Sequence, residues 1–113
     1  MAEREDPQRR VVLRDEKEGR DRRYLEAYLD AEGALHIDGQ DLGPATAIVS
    51  DGGEYEWFQR IAPGDVSRLV VMLGGRLGDD VLDVLEQHWT GDRAGELERL
   101  LRESNLEIER HVA

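Results

Sequence analysis

The stretch that decides the fold is YLEAYLDAEGALHID, which runs from Tyr24 to Asp38. In its first and last parts, apolar residues alternate with polar ones, which is the period-two pattern of half-buried β-strands. Between these parts lie residues 31–33, which end in Gly33, and glycine readily adopts the positive φ of a tight turn. The stretch therefore predicts two antiparallel strands joined by a hairpin turn.

The segments on either side of this hairpin are predicted as follows. The short apolar run at residues 11–13 indicates a strand, and the charged residues 15–21 after it indicate a turn. Residues 39–53 are rich in glycine and aspartate and contain Pro44, which is typical of a loop. The hairpin is therefore expected to gain one further strand on its N-terminal side.

Two later segments also have strand periodicity. Over residues 54–61, Tyr55, Trp57 and Ile61 fall on one face, where Gln59 is a polar exception. Near the C-terminus, apolar residues alternate with charged ones over residues 106–112. The chain is therefore expected to return to the sheet in a closing strand.

Three helices are expected between these last two strands. Pro63 is typical of a first helical turn, and apolar residues follow at i, i+3, i+4 and i+7 until the glycine pair at 74–75. An aspartate of the pair 79–80 is predicted to cap the second helix, and the third runs from residues 90–92 to near Asn105. The order of elements predicts an α+β fold, an antiparallel sheet of about four to five strands with three helices packed on one face.

The length of 113 residues fits one domain. Residues 1–10 are almost without apolar side chains and are expected to form a flexible N-terminal tail, while residues 11–113 form a single acidic α+β domain. The chain has no cysteine, which excludes disulfides and thiolate chemistry. No apolar run approaches the ~20 residues of a membrane span, and no signal core is present, so we expect a cytoplasmic protein that does not bind membranes.

The net charge of −11 is distributed unevenly along the chain. Residues 1–23 carry eight basic and seven acidic side chains, whereas residues 24–113 carry seven arginines and nineteen aspartates and glutamates. A domain this acidic repels the phosphates of nucleic acids and attracts basic proteins. The charge therefore argues against nucleic-acid binding and favours a basic protein partner.

No pattern of catalytic or metal-binding residues stands out. The three histidines lack the i, i+4 spacing of a helical zinc pair, and His36 has only Asp38 and Asp41 near it in sequence. Neither Ser50 nor Ser67 lies in a G-x-S-x-G motif. We therefore expect no metal, no cofactor and no catalytic residue.

The best candidate for a site is a group of acidic residues with one aromatic residue. Asp38 and Asp41 follow the hairpin, and Glu54, Glu56 and Phe58 share one face of the next strand. An aromatic side chain surrounded by acids suits a basic protein surface, provided that the helices cover the other face of the sheet. If the helices cover this face instead, the aromatic side chain belongs to the core.

Three segments carry a resemblance to a known family. Gln40-Asp41-Leu42-Gly43-Pro44, Glu54-Tyr55-Glu56-Trp57 and Asp65-Val66-Ser67-Arg68-Leu69 resemble an uncharacterised family of small acidic actinobacterial proteins. The similarity runs from about Val11 to Ile108. That family is similar in size and charge to immunity proteins of bacterial toxin systems. The resemblance implies an actinobacterial source and transfers no functional residue.

From these observations we predict a non-enzymatic, immunity-like binding domain that engages a basic protein. One alternative is a small enzyme or small-molecule-binding domain that uses the segment from Asp38 to Asp51 and the carboxylates near Trp57. This alternative requires a pocket in which carboxylates converge. A third alternative is a homodimeric accessory protein.

Overall fold

Five antiparallel strands form one sheet in the order β1-β2-β3-β4-β5, so that each strand pairs with its neighbour in sequence. The computed structural model describes residues 9–43 and 54–112. Three helices connect β4 to β5, which makes the fold α+β, as predicted. The elements are β1 (Arg10–Glu18), β2 (Asp21–Leu29), β3 (Leu35–Leu42), β4 (Glu54–Ile61), α1 (Pro63–Met72), α2 (Val81–His88), α3 (Arg93–Glu103) and β5 (Ile108–Val112).

The β2–β3 hairpin forms where the sequence predicts it. Gly33 has a φ of 89°. The side chain of Asp30 accepts hydrogen bonds from the backbone N–H groups of Glu32 and Ala34, at 2.8 and 3.0 Å. Such bonds from an aspartate to the backbone just after it stabilise tight turns. The hairpin prediction is therefore confirmed in its turn as well as in its strands.

The first strand is longer than the sequence predicts. β1 continues through charged residues to Glu18, and Gly19, with a φ of 63°, turns the chain into β2. The turn predicted over residues 15–21 is therefore present but limited to residues 19–20. The charged residues fit a strand because they find partners across the hairpin, as when Arg22 Nε lies 3.1 Å from Asp15 Oδ1.

The third strand is also longer, because β3 continues to Leu42 and includes residues predicted to lie in a loop. Gly39 is accommodated in this extension because the indole ring of Trp57 on β4 lies against it. A Cβ atom on Gly39 would lie 2.2 Å from Trp57 Cζ2. The rest of the predicted loop, residues 44–53 with Asp51, lies outside the described residues.

The helix boundaries follow their sequence signals. α1 begins at Pro63, and Gly74, just after its end, has a φ of 95°. Asp80 caps α2 by accepting a hydrogen bond from the backbone N–H of Leu82 at 2.8 Å. α3 ends at Glu103, close to the predicted end. None of the helices in the described part of the chain is long and apolar enough to cross a membrane.

Arg9 ties the beginning of the sheet to α2. Its Nη2 atom lies 2.8 Å from Asp83 Oδ1 and 3.1 Å from Glu86 Oε1, and an ion pair with Asp80 completes the contact. Because all these groups are exposed, the ion pairs position the strand more than they stabilise it. Of the flexible tail that the sequence predicts, residues 1–8 lie outside the described residues.

The helices pack on one face of the sheet, which we call the covered face. Trp89 is buried there, and its Nε1 atom donates a hydrogen bond to the carbonyl oxygen of Leu73 at 3.0 Å. Apolar burial of this kind is the main stabilising contribution to a small domain. The core contains Val11, Leu13, Leu25, Ala27, Leu35, Ile37, Ile61, Leu69, Val70, Leu73, Val81, Leu82, Val84, Leu85, Trp89, Ala94, Leu97, Leu101 and Leu106.

The opposite face of the sheet, which we call the open face, carries the residues between the buried positions. Ala27 and Ile37 are fully buried, whereas Tyr28, next to Ala27, is only half-buried and points the other way. Phe58 lies on the same side as Tyr28. The sequence left undecided which face the helices cover, and the structure places both aromatic side chains on the face without helices.

Candidate functional site

Side chains on the open face form rows that cross the strands, because residues paired in register point to the same side of a sheet. The central row holds one side chain from each strand, namely Val12, Glu26, Asp38, Phe58 and His111. Glu56 and Glu54 follow on the same face of β4, because they lie two and four residues before Phe58. We call Asp38, Glu54, Glu56 and Phe58 the acidic patch.

Four of the five residues predicted to bind a partner thus lie together. Asp38 is directly opposite Phe58 in register. Asp41 is separated from them, because it lies three residues after Asp38 in the same strand and therefore faces the other side of the sheet. Its register partner is Tyr55, which lines the covered face. Partner binding by the acidic patch remains a prediction.

A stack of side chains shields the central part of the open face. The rings of Tyr28 and His36 lie parallel, with their centroids 4.7 Å apart, and the guanidinium carbon of Arg10 lies 4.4 Å from the Tyr28 centroid. His36 Nε2 also lies 2.8 Å from Asp30 Oδ2. These contacts hold the aromatic rings in place and give the open face a fixed shape.

Most arginines of the open face are already paired with carboxylates. Arg10 pairs with Glu26, and Arg60 Nη1 lies 3.7 Å from Glu109 Oε1. By contrast, none of the three carboxylates of the acidic patch forms an ion pair with a described residue. The negative potential of the patch is therefore less compensated than that of the rest of the open face.

Asp38 differs from the other acids of the patch in its burial. Its Oδ1 atom is buried and has no hydrogen-bond partner in the described part of the chain. Burial raises the pKa of Asp38, whereas the charges of His36 and Arg10 and a hydrogen bond from Tyr28 oppose the rise; the charge of Glu26 adds to it. A buried oxygen without a partner costs about 1–3 kcal/mol, so a hydrogen-bond donor at this position would be stabilising.

A second feature lies on the covered face, where the sheet extends beyond the apolar core and α3 passes beside it. Here a cleft of about 280 Å³ opens to solvent. Its residues come from β3, β4, β5 and α3, and none belongs to the acidic patch. The cleft is lined by Asp41, Tyr55, Trp57, Gln59, Glu98, Arg102, Arg110 and Val112.

Gln59 connects the two sides of this cleft. Its side chain is only 1% exposed. The Nε2 atom donates to Glu98 Oε2 at 3.4 Å and to the carbonyl oxygen of Ile37 at 3.5 Å, while Oε1 accepts from Arg110 Nη2 at 2.8 Å. The amide thereby links a carboxylate on α3 to a guanidinium on β5, which fixes the geometry of the cleft.

Both carboxylates of the cleft are partly desolvated. Burial raises the pKa of Glu98, although its hydrogen bond from Gln59 opposes the rise. Burial likewise raises the pKa of Asp41, and the charges of Arg23 and Arg14 are not enough to reverse it. Perturbed carboxylates in a cleft are typical of functional sites, although structural charge networks also produce them.

Sequence reasoning missed most of this cleft, although two signals were present. Gln59 and Arg110 both occupy positions that the strand alternation assigns to the apolar side, and polar residues at such positions need buried partners. Glu98 and Arg102 gave no comparable signal, because charged residues one turn apart are common on exposed helix faces.

The arrangement also bears on the enzyme and ligand-binding alternative. The carboxylates that converge near Trp57 are those of Asp41 and Glu98, whereas Glu54 and Glu56 lie on the other side of the sheet. Within residues 9–43 and 54–112, no group of three histidine, aspartate or glutamate side chains could hold a metal ion. The residues that line the cleft offer a ligand hydrogen bonds, charges and aromatic contact.

Comparison with known proteins found no matching protein-family model, no matching curated protein and no matching solved structure. The resemblance to acidic actinobacterial proteins therefore remains a prediction. What the chain does must be argued from the open face and the cleft themselves.

Proposed function

We propose that this protein is a non-enzymatic binding domain that engages a basic protein through the acidic patch of its open face. The proposal rests on the position of Phe58, a half-buried aromatic side chain opposite Asp38 and on the same strand face as Glu56 and Glu54. None of these three carboxylates forms an ion pair with a described residue. Interfaces of this type combine an aromatic anchor with charges that select the partner.

The charge of the whole molecule supports this function. A net charge of −11 attracts a basic partner over distances of about a Debye length, and the uncompensated patch orients it at close range. Lysine or arginine side chains of the partner would then pair with Glu54 and Glu56. This is the mode by which an immunity-like protein would neutralise a basic toxin, which is the partner we propose.

Asp38 and Phe58 would provide specificity at the centre of the interface. The buried Oδ1 atom of Asp38 requires a donor, and a guanidinium or ammonium group from a partner would supply one. Phe58 lies next to it in register, and its ring contacts His111 at a centroid distance of 6.0 Å. A basic side chain flanked by an apolar one would satisfy both residues at once.

The experiment compares capture by wild type with capture by a patch variant, Glu54→Gln/Glu56→Gln, and by Phe58→Ala. Each protein is immobilised and exposed to lysate of the source cells at about 50 and 150 mM salt. The Debye length is shorter at the higher concentration, so contacts between exposed charges should weaken there. The retained basic protein is identified by mass spectrometry, purified, and its Kd measured. We expect each variant to weaken binding by about 10- to 30-fold, which is typical of interface hot spots.

The matched control is Glu103→Gln/Glu107→Gln, which removes the same charge from exposed positions away from the patch. It should retain the partner, because the patch is intact. If this control loses as much affinity as the patch variant, net charge alone is responsible and the proposed interface is wrong. Capture of no basic protein by the wild type at either salt concentration would also contradict the proposal.

A further inference from the structure

The cleft on the covered face has the properties of a small-molecule site that is independent of the acidic patch. It lies on the other side of the sheet, and its volume of about 280 Å³ is near the lower end of the range of ligand pockets, ~300–1,000 Å³. All its lining residues belong to strands or to α3, so that the site is built on the rigid part of the fold.

The floor of the cleft is aromatic. One side of the Trp57 indole ring lies against the backbone of Gly39, where a Cβ atom would come within 2.2 Å of the ring. The other side of the ring lines the cleft, and the ring of Tyr55 lies next to it, with a centroid distance of 5.5 Å and a tilt of 37°. Such a surface favours a flat or apolar ligand body and also attracts cations.

Groups of opposite charge stand on either side of this floor. Asp41 lies on β3 and Arg110 on β5, with the aromatic residues of β4 between them. Asp41 is opposite Tyr55 and Arg110 is opposite Gln59, four residues further along β4. With ~4.8 Å between neighbouring strands and ~3.3 Å per residue along a strand, the backbones of Asp41 and Arg110 are separated by about 16 Å. The carboxylate of Asp41 therefore stands at the β3 end of the cleft, in the field of Arg23 and Arg14, and the guanidinium of Arg110 stands at the β5 end.

The charged groups of the cleft are only partly satisfied by each other. Gln59 links Glu98 to Arg110, which couples one carboxylate to one guanidinium. Asp41 interacts with the charges of Arg23 and Arg14, and Arg102 interacts with that of Glu98, but neither group forms a close ion pair with a described residue. Each of these two groups therefore has capacity for a ligand of opposite charge.

A ligand with a single charge would fit this arrangement poorly. A simple anion would pair with Arg102 but would lie close to the carboxylates of Asp41 and Glu98. A simple cation would pair with Asp41 but would lie close to the guanidinium group of Arg110. Charges of like sign repel each other, and this repulsion opposes binding of a ligand with a single charge. A ligand that carries both charges would satisfy both sides of the cleft.

We propose that the cleft binds a small zwitterion, with its ammonium group at Asp41, its carboxylate group at Arg102 and Arg110, and its apolar body on the indole ring of Trp57. Gln59 acts as a positioning residue, because its buried amide holds Arg110 in place. The acidic patch takes no part in this binding, so the two activities are separable by mutation.

The test uses three probes that share one ring and differ only in charge. They are 4-(aminomethyl)benzoate, which is the zwitterion, benzylamine, which lacks the carboxylate, and 4-methylbenzoate, which lacks the amine. Binding is followed by the NMR signal of the Trp57 indole N–H and by calorimetry. We expect saturable binding of the zwitterion and at least about tenfold weaker binding of each single-charge probe, since tenfold corresponds to one good interaction.

Variants then assign each charge to its side of the cleft. Asp41→Asn should weaken binding of the zwitterion and of benzylamine but not of 4-methylbenzoate. Arg102→Gln should weaken binding of the zwitterion and of 4-methylbenzoate but not of benzylamine. Asp92→Asn is the matched control, because it makes the same change at an exposed position that does not line the cleft. The backbone NMR spectrum of each variant confirms that it is folded.

Three outcomes would overturn the proposal. The first is no shift of the Trp57 signal with the zwitterion up to about 10 mM, well beyond the range of weak specific sites. The second is binding of one single-charge probe as tightly as the zwitterion, which would define a simple cation or anion site. The third is an equal loss of affinity in Asp92→Asn and Asp41→Asn, which would show that the cleft charge is not responsible.

Discussion

The two faces of the sheet are built from the same strands, yet they differ in what buries their side chains. Ile37 and Asp38 are neighbours in sequence and point to opposite faces. Ile37 is fully buried because helices cover it, whereas Asp38 is partly buried only by its neighbours in the sheet. The comparison shows that the covered face carries the stability of the domain, and that the open face is held in shape by contacts among its own side chains.

The largest expected effect comes from removing core volume on the covered face. Ile37→Ala should lower the free energy of unfolding by about 2–5 kcal/mol, because it deletes a fully buried side chain and leaves a cavity. Val12→Ala on the open face, where the side chain is 47% exposed, should change it by less than about 0.5 kcal/mol. Urea denaturation measures both. A comparable loss in the two variants would mean that the open face is buried in solution.

A smaller effect is expected where the covered face changes from apolar core to cleft. Gly39→Ala should destabilise the fold by about 1–3 kcal/mol, because the new methyl group would overlap the Trp57 ring. The Trp57 indole N–H signal should shift while that of Trp89 stays in place. The control is Gly64→Ala in α1, where no atom lies within 4 Å and alanine is expected to be neutral or stabilising. An unshifted Trp57 signal would contradict the close packing.

The smallest expected effect is a change in how the stability of the domain depends on pH, and it concerns the polar part of the covered face. Burial raises the pKa of folded Glu98 above the ordinary value of 4.5, so the folded state binds the proton more tightly than the unfolded state. The contribution of Glu98 to stability is therefore greatest below this ordinary value and is lost as pH rises through the folded pKa. Glu98→Gln removes the ionised form and should be more stable than wild type at pH 7.

The difference between Glu98→Gln and wild type should shrink toward pH 4, where Glu98 becomes protonated. Thermal unfolding at several pH values measures this difference. Glu103→Gln serves as control, since it makes the same change at an exposed position near the end of the same helix. If Glu98→Gln is more stable than wild type by the same amount from pH 4 to pH 7, burial of the charge is not the cause.

Local patterns in the sequence were sufficient for most of the elements. The turn at Gly33, the helix start at Pro63 and the helix cap at Asp80 all form where they were predicted. Each depends on the backbone conformation or the capping group of that one residue. The extensions of β1 and β3 were missed, because beyond the helices neither face requires apolar residues, so the alternation of hydrophobicity disappears. Those extensions are held by backbone pairing across the sheet, which leaves little trace in one sequence.

The residues of the candidate sites also divide into those that local patterns in the sequence predicted and those that only the packing of the fold revealed. Asp38, Glu54, Glu56 and Phe58 were grouped from strand periodicity, and the sheet does bring them together. Asp41 was grouped with them because it is close in sequence. It points to the opposite face because it lies three residues after Asp38 in the same strand. Residues from α3 and β5 reach the cleft only through packing, so no local pattern could have placed Glu98 beside Gln59.

The sequence by itself determined the α+β class, the hairpin, the helix boundaries and the strong negative charge, because each depends on backbone preference, periodicity or composition. Only the tertiary structure decided which face of the sheet the helices cover and which charged groups remain without partners. The physical reason is that burial and ion pairing depend on distances between elements far apart in the chain. The negative charge is the basis for proposing a basic partner, and the fold separated an acidic patch on one face from a cleft of mixed charge on the other.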